Sequence, residues 1–270
     1  MDNKQNNKTL LLTDRVEIND KINMFDKRNM VKITNSETGE VIFEGSNKVI
    51  VSGAAFTARN HFDIPDEEIT PSYNTALSLD NTLYITPTSI EKIFLFAVGT
   101  DGCGRENSQV YANDYKKWIM PDALVPFRYQ PRNNDLDNNL RQLYYGKKTL
   151  SNKYAYYFKK FEADPVFHQK YIDGTPIDST IYTNSNELAV ESWIDLRLKV
   201  TSADCRDYFI NTVGISEARV NTLSLLTAWY SEIDGYRYYQ DIRPLTRLNF
   251  PNIPLIDLNL GIDIQYQLYY

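Results

Sequence analysis

The sequence predicts a mainly β protein: a sandwich-like antiparallel core with one short helix and an inserted irregular lobe. Three features carry that expectation. Apolar and polar residues alternate strictly over residues 190–200 and again over 258–270, helical periodicity is scarce, and aromatic residues make up 13% of the 270-residue chain, 20 of them tyrosines. Strict alternation puts one set of side chains on each face of a strand, so that one face is buried and the other is wet or docked. Tyrosine is favoured both in strands and at protein interfaces. With 42% hydrophobic and 24% charged residues, the chain has enough apolar material for a core and too little charge for wholesale disorder.

Residues 1–25 are polar and weakly periodic and read as an extended N-terminal arm. The β-rich core is expected over 26–109 and 183–270, chiefly near 30–51, 90–100, 190–215 and 245–270. Within it, Met30 to Thr34 and Glu40 to Glu44 flank Asn35-Ser36-Glu37-Thr38-Gly39, whose Asn and Gly supply the conformations of a hairpin turn. After an extended piece at 48–51, Ser52 offers a cap and Ala55, Phe56 and Arg59 fall at helical spacing, so the one helix is expected over 52–62. Ile90 to Val98 reads as a buried strand. It runs into Gly99-Thr100-Asp101-Gly102-Cys103-Gly104, a turn in which glycine lets the chain leave the strand at positive backbone angles.

Between 110 and 182 the pattern weakens. Pro121, Pro126, Pro131, Pro165 and Pro176, the polar triplets 133–135 and 137–139 and many tyrosines predict an inserted lobe or arm. Alternation then returns. Ile194, Leu196, Leu198 and Val200 oppose Glu191, Asp195, Arg197 and Lys199, and a one-residue slip would bury all four charges. Leu258, Leu260, Ile262, Ile264, Tyr266, Leu268 and Tyr270 likewise oppose Asn259, Asp263, Gln265 and Gln267, predicting a terminal strand that completes the core or a neighbour's sheet.

Composition argues against most chemistry. The net charge of -6 gives no footprint for a phosphate backbone, so no direct nucleic-acid role is expected, and Lys147-Lys148 and Lys159-Lys160 read as solvated edges. Two histidines, His61 and His168, and two cysteines, Cys103 and Cys205, lie too far apart to write a zinc motif or a disulfide framework; the cysteines read as buried structural thiols. The glycines at 99, 102 and 104 follow a strand but lack the dinucleotide spacing. No nucleophile elbow or kinase signature occurs. No enzyme activity, catalytic residue, cofactor or metal is therefore expected. The longest apolar run, Ile93 to Val98, falls far short of the roughly 20 residues of a membrane helix, and Leu10 to Leu12 is too short for a secretory signal, so no membrane contact is expected.

The tyrosine clusters at 144–145, 154, 156–157, 236, 238–239 and 269–270 admit three readings: core, glycan platform or subunit interface.

Three blocks resemble virion structural proteins of tailed bacteriophages, the tail, baseplate, neck and fibre-attachment components. The first spans residues 38–53, a hairpin leading through Asn47-Lys48-Val49-Ile50-Val51-Ser52-Gly53 into the small-residue helix. The second is Ile93-Phe94-Leu95-Phe96-Ala97-Val98 with its Gly99-Thr100-Asp101-Gly102 turn. The third couples Gly214-Ile215-Ser216-Glu217-Ala218 to Leu248-Asn249-Phe250-Pro251-Asn252-Ile253-Pro254 and the closing strand. The resemblance implies a symmetric homo-oligomer located in the virion, assembled in the host cytoplasm, with other virion proteins as partners. The alternative is a glycan-binding or host-receptor-recognising module of a tail fibre.

Overall fold

Alternation in the sequence becomes two antiparallel sheets packed face to face. The structure is a computed structural model and describes residues 30–46, 48–49, 77–80, 91–104, 109–111, 123–171, 190–255 and 261–269. The expected arm at 1–25 and the expected helix at 52–62 lie outside the described residues. The first sheet contains β1 (Met30–Asn35), β2 (Val41–Ser46), β9 (Val166–Tyr171), β10 (Val190–Val200) and β14 (Ile262–Tyr269), in the order β2-β1-β14-β10-β9. The second contains β3 (Lys48–Val49), β4 (Lys92–Gly99), β5 (Leu124–Val125), β6 (Arg128–Pro131), β7 (Tyr144–Leu150), β8 (Lys153–Lys160), β11 (Arg219–Ile233), β12 (Tyr236–Pro244) and β13 (Thr246–Pro254). Its path runs β3-β13-β11-β4-β8-β6, with β12 on β11, β5 on β4 and β7 on β8.

The hairpin at the start forms where the turn residues predict. The Asn35 side chain accepts the backbone N–H of Glu37 and Thr38 at 2.9 and 3.2 Å, and Gly39 takes φ +70°. In β14, Ile262, Ile264, Tyr266 and Leu268 are buried between the sheets, while Gln265 is exposed. Each buried side chain of this size contributes about 1.5–3 kcal/mol, so a one-residue slip would exchange four such contributions for Asp and Gln. Leu196, Leu198 and Val200 of β10 join the same core. The fully buried Tyr266 crosses to the other sheet, its hydroxyl donating to Thr246 Oγ1 at 2.9 Å.

β4 reads as one apolar run because it is buried on both faces. Phe96 and Val98 enter the inter-sheet core, and Leu95 and Ala97 enter a second cluster on the outer face with Ala155, Phe158, Leu226, Ala228, Tyr239 and Ile242.

Several expectations need correction. The stretch 110–182 is not an irregular insertion over its described part: it supplies β5 to β9 to both sheets. Its described prolines flank or close strands: Pro126 follows β5, Pro131 ends β6 and Pro165 precedes β9. The helices of the described residues are α1 (Asn138–Arg141) and α2 (Arg206–Thr212), with a 3-10 turn at Ile215–Glu217. The strand near the C-terminus, β14, does not offer itself to a neighbour, because it lies between β1 and β10 with both edges paired. Finally, none of Gly99, Gly102 and Gly104 has a positive φ. Gly102 is required by close approach: a Cβ there would meet Asn221 O at 2.1 Å.

Candidate functional site: a tyrosine-lined cleft

A cleft of about 670 Å3 opens between the hairpins β7–β8 and β11–β12. The second hairpin turns at Asp234-Gly235, both with positive φ (53° and 78°), the pairing that matches the twist of the flanking strands. β7 and β12 are not hydrogen-bonded to each other among the described strands, yet Tyr145 meets Tyr239 edge-on with ring centroids 4.6 Å apart. Behind them Tyr230 and Phe94 extend the aromatic floor, Phe94 lying 5.2 Å from Tyr239 and 5.4 Å from Tyr230. Tyr236 and Tyr238 line the cleft and are exposed, at 37% and 40%.

The β7–β8 wall is held by two aspartates. Asp135 accepts hydrogen bonds from Tyr156 Oη (2.6 Å), Arg141 (2.8 Å), Lys147 Nζ (3.0 Å) and the Leu136 N–H (2.8 Å). Burial pulls its carboxyl pKa up, but these donors outweigh burial and bring it down to about 2. Asp204 lies deeper and is fully buried. It takes Lys159 Nζ at 2.6 Å, Tyr144 Oη at 2.7 Å and the Thr201 N–H at 2.8 Å, with Arg128 at 3.5 Å. Burial first, and then the Asp204 and Asp135 charges, push the hydroxyls of Tyr144 and Tyr156 upward, and burial first does the same to Tyr145. All three stay neutral hydrogen-bond donors at physiological pH.

Cations ring the same space. Lys147 Nζ sits 3.5 Å over the Tyr154 ring, Arg132 lies 5.6 Å from that ring, and Arg237 lies 4.5 Å over Tyr230. α1, capped by Asp137 on the N–H groups of Asn139 and Leu140 at 2.9 Å, presents Asn138 and Arg141 to the cleft. Asp80, bonded to Thr149, is the carboxylate among the described lining residues. The Tyr239 hydroxyl is buried in the wall without a hydrogen bond of good geometry, and the Arg237 charge favours loss of its proton against the larger effect of burial.

The glycine-rich turn is a different kind of site. The register between β11 and β13 shifts after Val220, which pairs with Ile253 while Thr222 pairs with Asn249. This bulge aims the fully buried Asn221 at the turn. Asn221 Oδ1 accepts the Gly102 N–H at 2.7 Å, and its Nδ2 donates to Asn252 Oδ1 (2.8 Å), Thr100 O (3.3 Å) and Cys103 O (3.5 Å). Asn252 donates to Gly104 O, Asn249 donates to Tyr111 O, and Arg247 donates to Asn249 Oδ1 and Asp101 O. The turn N–H groups that a phosphate would need are taken up within the protein: Gly102 by Asn221, and Gly104 by Gln109 O at 2.8 Å.

The other residues singled out in the sequence do not converge on these sites. Cys103 and Cys205 are buried, and burial pushes the Cys205 thiol well above its usual range, which removes its thiolate. His168 pairs with Asp195 at 2.9 Å on β9 and β10, and His61 lies outside the described residues. No group of three metal-ligating side chains occurs among the described residues. The lysine pairs are not solvated edges throughout: Lys159 is 5% exposed and Lys147 lies across Tyr154. The tyrosines at 144–145, 154, 156, 236 and 238–239 are legible in the sequence as clusters, and the structure brings them together. Arg132, Arg141 and Asp135 carry no sequence signal of their own, whereas Arg237 shows as the cation between Tyr236 and Tyr238. The Asp234-Gly235 pair is the cue that places the second hairpin.

Comparison with protein-family models, with curated proteins and with solved structures gives no match to this chain.

Proposed function

We propose that this protein is a non-catalytic structural component of a tailed-bacteriophage particle, in its tail, neck or baseplate. Copies form a symmetric homo-oligomer in the virion and join neighbouring virion proteins through β pairing between subunits and through aromatic contacts. The observation that supports this reading is β2. Among the described residues it is hydrogen-bonded on one side only, to β1, and it exposes Val41 (46%) and Ile42 (38%). An edge strand with exposed β-branched residues is a template for another chain, which a lone soluble subunit would normally blunt. The interior position of β14 shifts the intersubunit role from that strand to β2. The blocks that resemble virion proteins also meet in space, because the Gly99 to Gly104 turn is bound by Asn249 and Asn252 through Arg247 and Asn221.

Light scattering at several concentrations, together with the mass found in particles, tests this. A ring or a concentration-dependent oligomer is expected, and the Ile42→Lys variant is expected to lower its mass while keeping a β circular dichroism spectrum. A 31.3 kDa monomer at every concentration that is absent from particles overturns the proposal.

A second reading, a glycan-binding or receptor-recognising module, is favoured by the open tyrosine-lined cleft with amides and cations at its walls.

A further inference from the structure

We propose that the cleft between the two hairpins binds an acidic oligosaccharide, a short run of sugar rings bearing carboxylates, held by exposed tyrosine rings and by Arg132, Arg141 and Arg237. This deepens the second reading above and rests on it.

The size is suitable, since small-ligand sites occupy about 300–1,000 Å3 and this cleft measures about 670 Å3. The lining chemistry narrows the ligand. A sugar ring has an apolar C–H face and a rim of hydroxyls, so it requires flat aromatic surface beside short polar groups. The cleft supplies both, with Tyr236 and Tyr238 beside Asn138, Gln142 and Thr149. Among the described lining residues the aliphatic side chains are Leu79 and Ile242, too little to seat the side chains of a peptide.

Charge selects the acidic class. Among the described lining residues, Arg132, Arg141, Lys147 and Arg237 outnumber the one carboxylate, Asp80, on a chain whose net charge is -6; Arg237 also lies 3.9 Å from Glu232 at the exposed edge of the hairpin. A cationic patch on an acidic protein attracts anions locally while the whole molecule repels them. Two of the cations, Arg141 and Lys147, are fixed by Asp135, and Arg141 keeps further N–H donors beyond the one that bond uses. Arg132 has no carboxylate partner among the described residues; its guanidinium lies 5.6 Å from the centre of the Tyr154 ring. The buried Tyr239 hydroxyl lies beside Arg237 and has no well-formed hydrogen bond among the described residues.

The test is calorimetric titration of the full chain with uronate- and sialate-bearing oligosaccharides, paired with their carboxyl-reduced counterparts, and with a glutamate hexapeptide. At least one acidic oligosaccharide is expected to bind about tenfold more tightly than its reduced counterpart, and added salt is expected to weaken it. Arg132→Ala is expected to cost about tenfold and Tyr236→Ala about threefold to tenfold. Both residues are exposed, so the unfolding midpoint of each variant should match the parent. Equal affinity for acidic and reduced sugars overturns the acidic assignment and leaves the glycan reading standing. Binding of no sugar overturns both, and binding of the hexapeptide without any sugar reassigns the cleft to acidic peptides.

Discussion

The asparagine-bound turn and the tyrosine cleft use similar polar side chains to opposite ends. At the turn, every amide nitrogen and oxygen of Asn221, Asn249 and Asn252 is bonded within the protein. At the cleft, Tyr236, Tyr238 and Arg132 are exposed, and the Tyr239 hydroxyl lacks a well-formed bond. The turn spends its polar capacity on geometry, whereas the cleft retains capacity for something outside the chain. The difference follows from burial. An unpaired amide in the interior costs free energy that water would otherwise supply, so nearly all buried polar groups are satisfied, as at the turn, while exposed ones need no partner from the chain.

Substitutions should separate the two regions, beginning at the turn. Gly102→Ala drives a Cβ against the Asn221 backbone and should destabilise by about 4 kcal/mol or more, seen as a large fall in the urea midpoint. Asn221→Ala strands the Gly102 N–H and the carbonyls that Asn221 serves, and should cost about 3 kcal/mol in the same measurement. If Asn221→Ala unfolds no more easily than the parent, the turn is not held as described. At the cleft wall the effect is smaller and depends on pH. The Asp135 carboxyl is lower when folded than its ordinary 3.8, so its stabilisation is present above that value and is lost as pH falls towards about 2. After solvent screening this amounts to roughly 1 kcal/mol, and Asp135→Asn should flatten that part of the stability–pH curve. Tyr238→Ala, at the exposed mouth, should change stability by less than about 0.5 kcal/mol; a larger loss would make the mouth part of the core.

What the sequence discloses depends on whether neighbours in space are neighbours in the chain. The first hairpin, β10 and β14 are legible because alternation is local, and β4 is legible because burial on both faces leaves an unbroken apolar run. β7 is not, and β8 shows only as an aromatic stretch at 153–158, since Tyr144-Tyr145 and Tyr156-Tyr157-Phe158 place aromatics on both faces and erase the period of two. The asparagines carry no signal because Asn221 and Gly102 lie 119 residues apart. The cleft was half legible: its tyrosines cluster in sequence, but their cations come from 132, 141, 147 and 237, which only the fold assembles.

The place of β14 bears on how the chain is made. It is the last described strand to leave the ribosome, and it is the one that joins β1 to β10, with Thr34 bonded to Asp263 across 229 residues. Until it arrives, the inner edges of β1 and β10 have no partner, and the core between the sheets stands open on one side. Long-range closure of this kind slows folding and leaves nascent chains exposed to one another. The strand that seals the sandwich is therefore made after both of the strands it joins, and no earlier part of the described chain can close the core between the sheets.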